Sequence, residues 1–402
     1  MNRIQPFFLQ VIQKSLWNMK VLFPDDIDWD AVLKEAEDQA VLGIVIGAMP
    51  GDVQERWRSK ANLVTANFVR ILNYQEQLYR LLKEHGIPMV ILKGTAAAIY
   101  YPNPSQRSMG DIDYLVPMEY FDRTKELLVE NGYSIADDPR NPRHMHVYKG
   151  RVSFEQHRFF SSEGIDVEQY ITEGISHIHI NKIYGKEFPM LPKLANGIVL
   201  LGHMAQHLKN GLGLRQVIDW MMYVNSELND AFWTLTFEKA AIDVGLDQMA
   251  IVATRMCQLY LGLSEDIHWC MDADPEACAA LMDSLLSSGN FNRKRGNGTP
   301  IEIVTSNIAK KGLFRVLQTS GEKNWEAYHK HKWLKPFAWI YQGCRYVAKG
   351  IQTKRSGIQI KQDAQRGKQR KELLQKLKIL EKKEDSLSRA RSDPERKYIK
   401  ES

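Results

Sequence analysis

A change of hydrophobic period near residue 86 limits this chain more than any other feature. From Ala61 to Glu84 the apolar residues Leu63, Phe68, Ile71, Leu72, Leu78, Leu81 and Leu82 recur at helical spacing and form one stripe. Gly86, a good helix terminator, and Pro88 then stop the pattern. Pro88 to Leu92 (PMVIL) is a short apolar run between breakers, which predicts a buried strand. Ala96 to Tyr100 reads as a short helix, Ile112 to Val116 as a second strand, Tyr120 to Asn131 as a helix ending at Gly132, and Val152 to Phe160 as a third strand. After Phe188 the helical period returns in Leu194 to Lys209, Leu214 to Glu227, Asp230 to Leu263 and Pro275 to Leu286. Before Ala61, Trp29 to Ala40 is rich in helix formers, with Asp26 or Asp28 as its cap. The pattern predicts an α+β fold: a small mixed β-sheet core with helical regions on its N- and C-terminal sides.

At 402 residues the chain has room for two to three domains. The expected division is an N-terminal helical region over 1–86, a core over 87–190, a helical domain over 191–350 and a basic tail over 351–402, disordered or partly helical. With 44% hydrophobic and 25% charged residues, the chain has the balance of a soluble globular protein. The formal charge of +6 is uneven. From Arg345 onward there are 18 Lys and Arg against 8 Asp and Glu, so the tail alone carries about +10 and the rest is mildly acidic. The tail could meet nucleic acid or an anionic surface, and a solvated tail is the plainer reading. The short basic loop Asn292 to Asn297 (NRKRGN) has the same ambiguity. The first twenty residues have no apolar stretch or cleavage site of a signal peptide, and no 18-residue apolar run occurs. Four cysteines (Cys257, Cys270, Cys278 and Cys344) without CxxC or zinc spacing predict a reducing cytoplasm.

Asp111 and Asp113 lie two apart on a predicted strand, so both point to one face. Two carboxylates on one face repel unless a cation sits between them. Mg²⁺ is hard, prefers oxygen, and takes one or two carboxylates plus substrate phosphates. A two-metal site would steady the attacking and leaving oxygens of an in-line displacement. Upstream, Gly94-Thr95 opens a turn after the first strand, where backbone N–H groups could meet a triphosphate. Lys93 and Arg107 flank this motif and could bind phosphate, as a point charge and as a bidentate fork respectively. Alone, an Asp-x-Asp string also fits aspartates on the outer face of an edge strand. The order of parts is what gives it meaning.

With those parts in place, LKGTAAAIYYPNPSQRSMGDIDYLV resembles a poorly characterised bacterial nucleotidyltransferase family within the DNA polymerase β-type superfamily. The resemblance covers roughly residues 5–350. It implies Mg²⁺ (or Mn²⁺), a nucleoside triphosphate donor with ATP as default, and nucleotide binding by Lys93, Gly94, Thr95 and Arg107. It also implies a third acidic residue in an apolar-Asp/Glu-x-His strand, which Phe154-Glu155-Gln156-His157 matches. Asp111, Asp113 and Glu155 would then be the metal-binding and catalytic set. The spacer from Thr95 to Asp111 is longer than the superfamily's, and Thr95 stands where serine is common, so a hydroxyl is kept. Spaced histidines and an Arg…Asp element, also found in the family, correspond to His203, His207, Arg215 and Asp219.

Other readings of these residues stay open. Asp166 is the substitute third carboxylate if the strand register differs. His157 could contact substrate, orient Glu155 or serve the structure. His203 and His207, four apart on a helix, suit packing or substrate contact, with zinc as the weaker alternative because no third ligand is at hand. Arg215 and Asp219 most simply form an i,i+4 ion pair. No Walker or kinase glycine loop is present, which disfavours a kinase-type site. The acceptor is not readable from the sequence. The rivals to catalysis are a degenerate relative that only binds a nucleotide or partner, and a nucleic-acid binder working through the tail.

Overall fold

The computed structural model describes residues 1–138, 141, 143–162, 165–291, 313–352, 368–369 and 372–379. The basic loop 292–297 and most of the basic tail therefore lie outside the described residues. The chain divides into two units, Met1–Lys294 with Leu377–Ser402, and Arg295–Lys376. No helix among the described residues is long and apolar enough to cross a membrane.

The first unit opens with helices α1 (Gln5–Trp17), α2 (Trp29–Asp38), α3 (Leu42–Val45) and α4 (Gly51–Glu84). Asp28 caps α2 by accepting from the Ala31 amide at 3.0 Å, so of the two expected caps it is the one used. Helix α4 begins ten residues earlier than its apolar stripe predicts. Leu63, expected on that stripe, is 68% exposed; after Val53 near the helix start, the continuous buried face begins at Phe68. From there Phe68, Ile71, Leu72, Leu78 and Leu82 pack into the core, and Gly86 ends the element in the left-handed conformation with φ +64°.

The sheet follows as β1 (Val90–Ile91), α5 (Thr95–Ala98), β2 (Ile112–Leu115), α6 (Phe121–Glu130), β3 (Ser134–Ala136), β4 (His144–Lys149), β5 (Val152–His157), α7 (Glu168–Ile175), β6 (His179–Ile183) and β7 (Lys186–Met190). Its seven strands run in the order β3-β4-β5-β2-β1-β7-β6. The sheet is mixed: β2 pairs parallel with β5 and β1 parallel with β7, while the remaining pairs are antiparallel. Four of these strands, β3, β4, β6 and β7, were not expected from the sequence. β3 is only three residues long and β6 is mostly exposed, and in β4 and β7 His, Lys and Glu stand beside the buried residues, so none reads as a plain apolar strand. One face of the central strands is core: Ile112, Tyr114, Met145, Val147 and Phe154 are all buried there. Buried Tyr114 Oη donates to Gln156 Oε1 at 2.7 Å on the same face.

A helical layer completes the unit: α8 (Lys193–Asn210), α9 (Leu214–Glu227), α10 (Asp230–Phe232), α11 (Glu238–Asp243), α12 (Asp247–Leu261) and α13 (Pro275–Ser288). It is fastened to the loop before β2 by a buried ion pair. Arg107 Nε and Nη2 donate to Asp219 Oδ1 and Oδ2 at 2.7 and 2.6 Å, and Tyr101 Oη adds a third bond to Oδ1 at 2.7 Å. This corrects the expected Arg215–Asp219 pair. Both oxygens of Asp219 are taken by a fork that matches carboxylate geometry, leaving Arg215 to donate to the Ser108 carbonyl at 3.3 Å. The second unit is a helical hairpin of α14 (Leu313–Asn324), α15 (Glu326–Lys330) and α16 (Ala338–Gln352). Its two long helices touch at Gly321, where an added Cβ would lie 1.9 Å from the Ala338 carbonyl oxygen.

Asp219→Ala strands the Arg107 guanidinium in the interior without a counter-charge, and we expect a loss of about 3–5 kcal/mol in urea-induced unfolding. Asp219→Asn, which keeps an acceptor, should lose less. A loss below about 1 kcal/mol for Asp219→Ala would show that the pair is not a clamp.

Candidate active site

The strand pairing brings the candidate residues together. In the parallel β2–β5 register Asp113 faces Glu155 and Leu115 faces His157. In the antiparallel β4–β5 register His146 faces Glu155 and His144 faces His157. Because side chains alternate along a strand, these residues share the face opposite the core. The carboxylate oxygens of Asp111, Asp113 and Glu155 lie within 4.8 Å of one another. Asp166, the substitute third carboxylate, is elsewhere: it is exposed and accepts from Ser161 Oγ and the Glu168 amide.

Asp113 is the anchor of the group, 3% exposed. Its Oδ1 receives both Lys93 Nζ and His157 Nε2, each at 2.9 Å. Lys93 follows β1, the antiparallel neighbour of β2, and its Nζ also lies 3.5 Å from His203 Nε2. Burial works against the Asp113 charge, but the Lys93 ammonium and the His157 contact hold this carboxyl well below the usual range. Burial likewise opposes the Lys93 charge, and Asp113 and Asp111 overcome it, keeping the amine above its ordinary value. The other two acids shift the opposite way. Asp113 first, and burial second, raise Asp111. Burial, then Asp113 and Asp111, push Glu155 up to about 8. Beside the one lysine, the three carboxylates offer an all-oxygen donor set of the kind that would suit a hard divalent ion.

The remaining expected residues fall into distinct places. Gly94 has φ +70°, and a Cβ there would meet Met109 Cε at 3.2 Å, so the turn requires glycine. Thr95 is fully buried and its hydroxyl donates to Gln75 Oε1 at 2.9 Å, which ties the turn to α4. Arg107 is likewise committed, to Asp219. Both side chains are engaged in these bonds, and Lys93 is the cation that stands among the carboxylates.

His203 and His207 touch through their Nε2 atoms at 2.8 Å. Burial holds His203 well below the usual histidine range and pushes His207 down to about 3, so both are neutral. They continue a wall of rings from the carboxylates: His157 to Phe160 at 5.6 Å, Phe160 to His203 at 6.4 Å, His203 to His207 at 4.4 Å and His207 to Phe291 at 4.9 Å. The Arg215 guanidinium stands 5.7 Å over the Phe291 ring. Phe291 has φ +53°, a left-handed backbone rare outside glycine, and it is 53% exposed. The sequence reading missed His144, His146 and Phe291. The alternating His144-Met145-His146 was a readable signal, since it repeats the spacing of Glu155 and His157 on the next strand.

Because the Glu155 carboxyl holds its proton up to about pH 8, a divalent cation must displace that proton to use both oxygens. At pH 7 we expect Mg²⁺ binding to release about one proton, and affinity to climb with pH until about 8. Titration calorimetry in two buffers of different protonation enthalpy checks this. Glu155→Gln should abolish the buffer dependence.

Among curated proteins no relative matches the chain. A family model does: residues 25–262, more than half of the sequence, match the family described as uncharacterised nucleotidyltransferase. That span contains the whole carboxylate and histidine face together with Lys93, Gly94 and Asp219. The chain belongs to this nucleotidyltransferase family.

Proposed function

We propose that the chain moves a nucleoside monophosphate group from a nucleoside triphosphate to an acceptor and releases pyrophosphate. The observation that carries this reading is the convergence of Asp111, Asp113 and Glu155 from two paired strands. It also weighs against a degenerate relative, in which a distant third carboxylate would be expected. Asp111, Asp113 and Glu155 would hold Mg²⁺, or Mn²⁺ in its place. Such an ion, when bound, neutralises phosphate charge and favours attack at the α-phosphorus. ATP is the default donor by analogy alone. Cys257, Cys270 and Cys278 are buried free thiols, in keeping with a cytoplasmic enzyme.

In this reading an acceptor hydroxyl, amine or phosphate attacks the α-phosphorus, and the bond to the bridging oxygen of pyrophosphate breaks. Lys93 supplies fixed positive charge beside the reacting phosphates, already oriented by Asp113. Glu155 completes the carboxylate set or takes the acceptor's proton. The backbone of the Gly94 turn is left to approach phosphate, since the Thr95 hydroxyl is spent on Gln75. The ring wall ending at Phe291 and Arg215 offers a surface for the rest of a substrate.

The test is to incubate the protein with each α-labelled triphosphate, Mg²⁺ and a cell extract. Label should reach a product, and Asp111→Asn should cut transfer at least about a hundredfold, the loss typical of one strong electrostatic stabiliser. Asp111 suits this better than Asp113, whose removal would leave Lys93 half-paired in the interior. Absence of label with every donor would count against transfer.

A further inference from the structure

The reactive face carries two kinds of ligand, and only one kind suits a hard ion. Asp111 and Asp113 offer oxygen alone, whereas His144 and His157 offer imidazole nitrogen, which favours Zn²⁺, Co²⁺ or Ni²⁺ over Mg²⁺. The ligand atoms of His144, Glu155 and His157 lie within 4.8 Å of one another. His144 Nε2 is 3.5 Å from Glu155 Oε1, and His157 Nε2 is 3.7 Å from Glu155 Oε2. Each imidazole thus addresses a different oxygen of one carboxylate.

Two further observations point to a ligand. A histidine kept only for packing normally has its buried nitrogens hydrogen-bonded. Here the Nδ1 atoms of both His144 and His157 are buried without a partner among the described residues, and His157 is 3% exposed. His157 Nε2 now donates to Asp113 Oδ1 at 2.9 Å, so a cation taken at that nitrogen replaces this hydrogen bond, and the ring proton moves to the unpartnered Nδ1. In addition, the Asn141 side-chain amide donates to His144 Nε2 at 3.0 Å, so that nitrogen already acts as an acceptor. Burial keeps His144 neutral by pushing it down to about 4.

We propose that His144, His157 and Glu155 form a second cation site, for a borderline divalent ion, that shares Glu155 with the carboxylate site. Glu155 is the one side chain common to both sets. Occupancy of the histidine site then decides how Glu155 is shared between the two ions. The site does not depend on nucleotide transfer and is testable without it.

The tag-free, full-length chain is stripped with chelator and titrated with Co²⁺, whose visible d–d absorption reports its ligands. The expected band withstands millimolar Mg²⁺ and persists in Asp111→Asn. His144→Ala should weaken Co²⁺ binding by more than the roughly 10–100-fold that losing an outer-shell partner costs. His144→Cys, replacing imidazole by a thiolate, should restore binding with an added sulfur-to-metal band, which guards against reading misfolding as ligand loss. No band in the wild type, a band unchanged by His144→Ala, or one erased by Mg²⁺ or by Asp111→Asn overturns the proposal.

Discussion

Keeping the Asp113 charge in the interior is the constraint on which the site depends. A carboxylate buried this deeply is tolerated only with compensating partners, and both of them, Lys93 just after β1 and His157 in β5, stand beside β2. Sheet pairing therefore sets the electrostatics. Slipping β5 by one residue would turn Glu155 and His157 into the core and bring Phe154 and Gln156 out, exchanging the chemistry for apolar surface. The core face, with Tyr114 bonded to Gln156, fixes the register that the reactive face needs.

Around that anchor the charges are arranged unequally. Asp113 and Lys93 satisfy each other, while Asp111 is raised chiefly by the Asp113 charge, and Glu155 chiefly by its own burial and then by Asp113 and Asp111. Groups of one type are thereby given different behaviours by position alone. The neutral histidines beyond Lys93 add hydrogen-bonding surface without further positive charge, which keeps the lysine the dominant cation near the carboxylates.

Legibility followed the strength of the local signal. The strand before Gly94 was readable as an apolar run between breakers, and the Asp111–Asp113 and Glu155 strands because apolar residues alternate with polar ones; the matched family supports the same core. The outer strands were not, since they are short and half-exposed and owe their structure to their neighbours. Thr95 and Arg107 were picked out by motif, yet their partners Gln75 and Asp219 lie 20 and 112 residues away. Local spacing carries no information about such distant partners. The i,i+4 rule paired Arg215 with Asp219 for the same reason, before the fold brought Arg107 into competition.

The bond between Arg107 and Asp219 also bears on how this protein could have been assembled. It joins the loop feeding the Asp-Ile-Asp strand to helix α9, so the acidic sheet and the helices after it are not interchangeable cassettes. A recombination break between β7 and α8 would hand the sheet a desolvated guanidinium with no counter-ion. Any new helical partner would have to bring its own carboxylate to that spot. Inheritance of the two parts is therefore coupled.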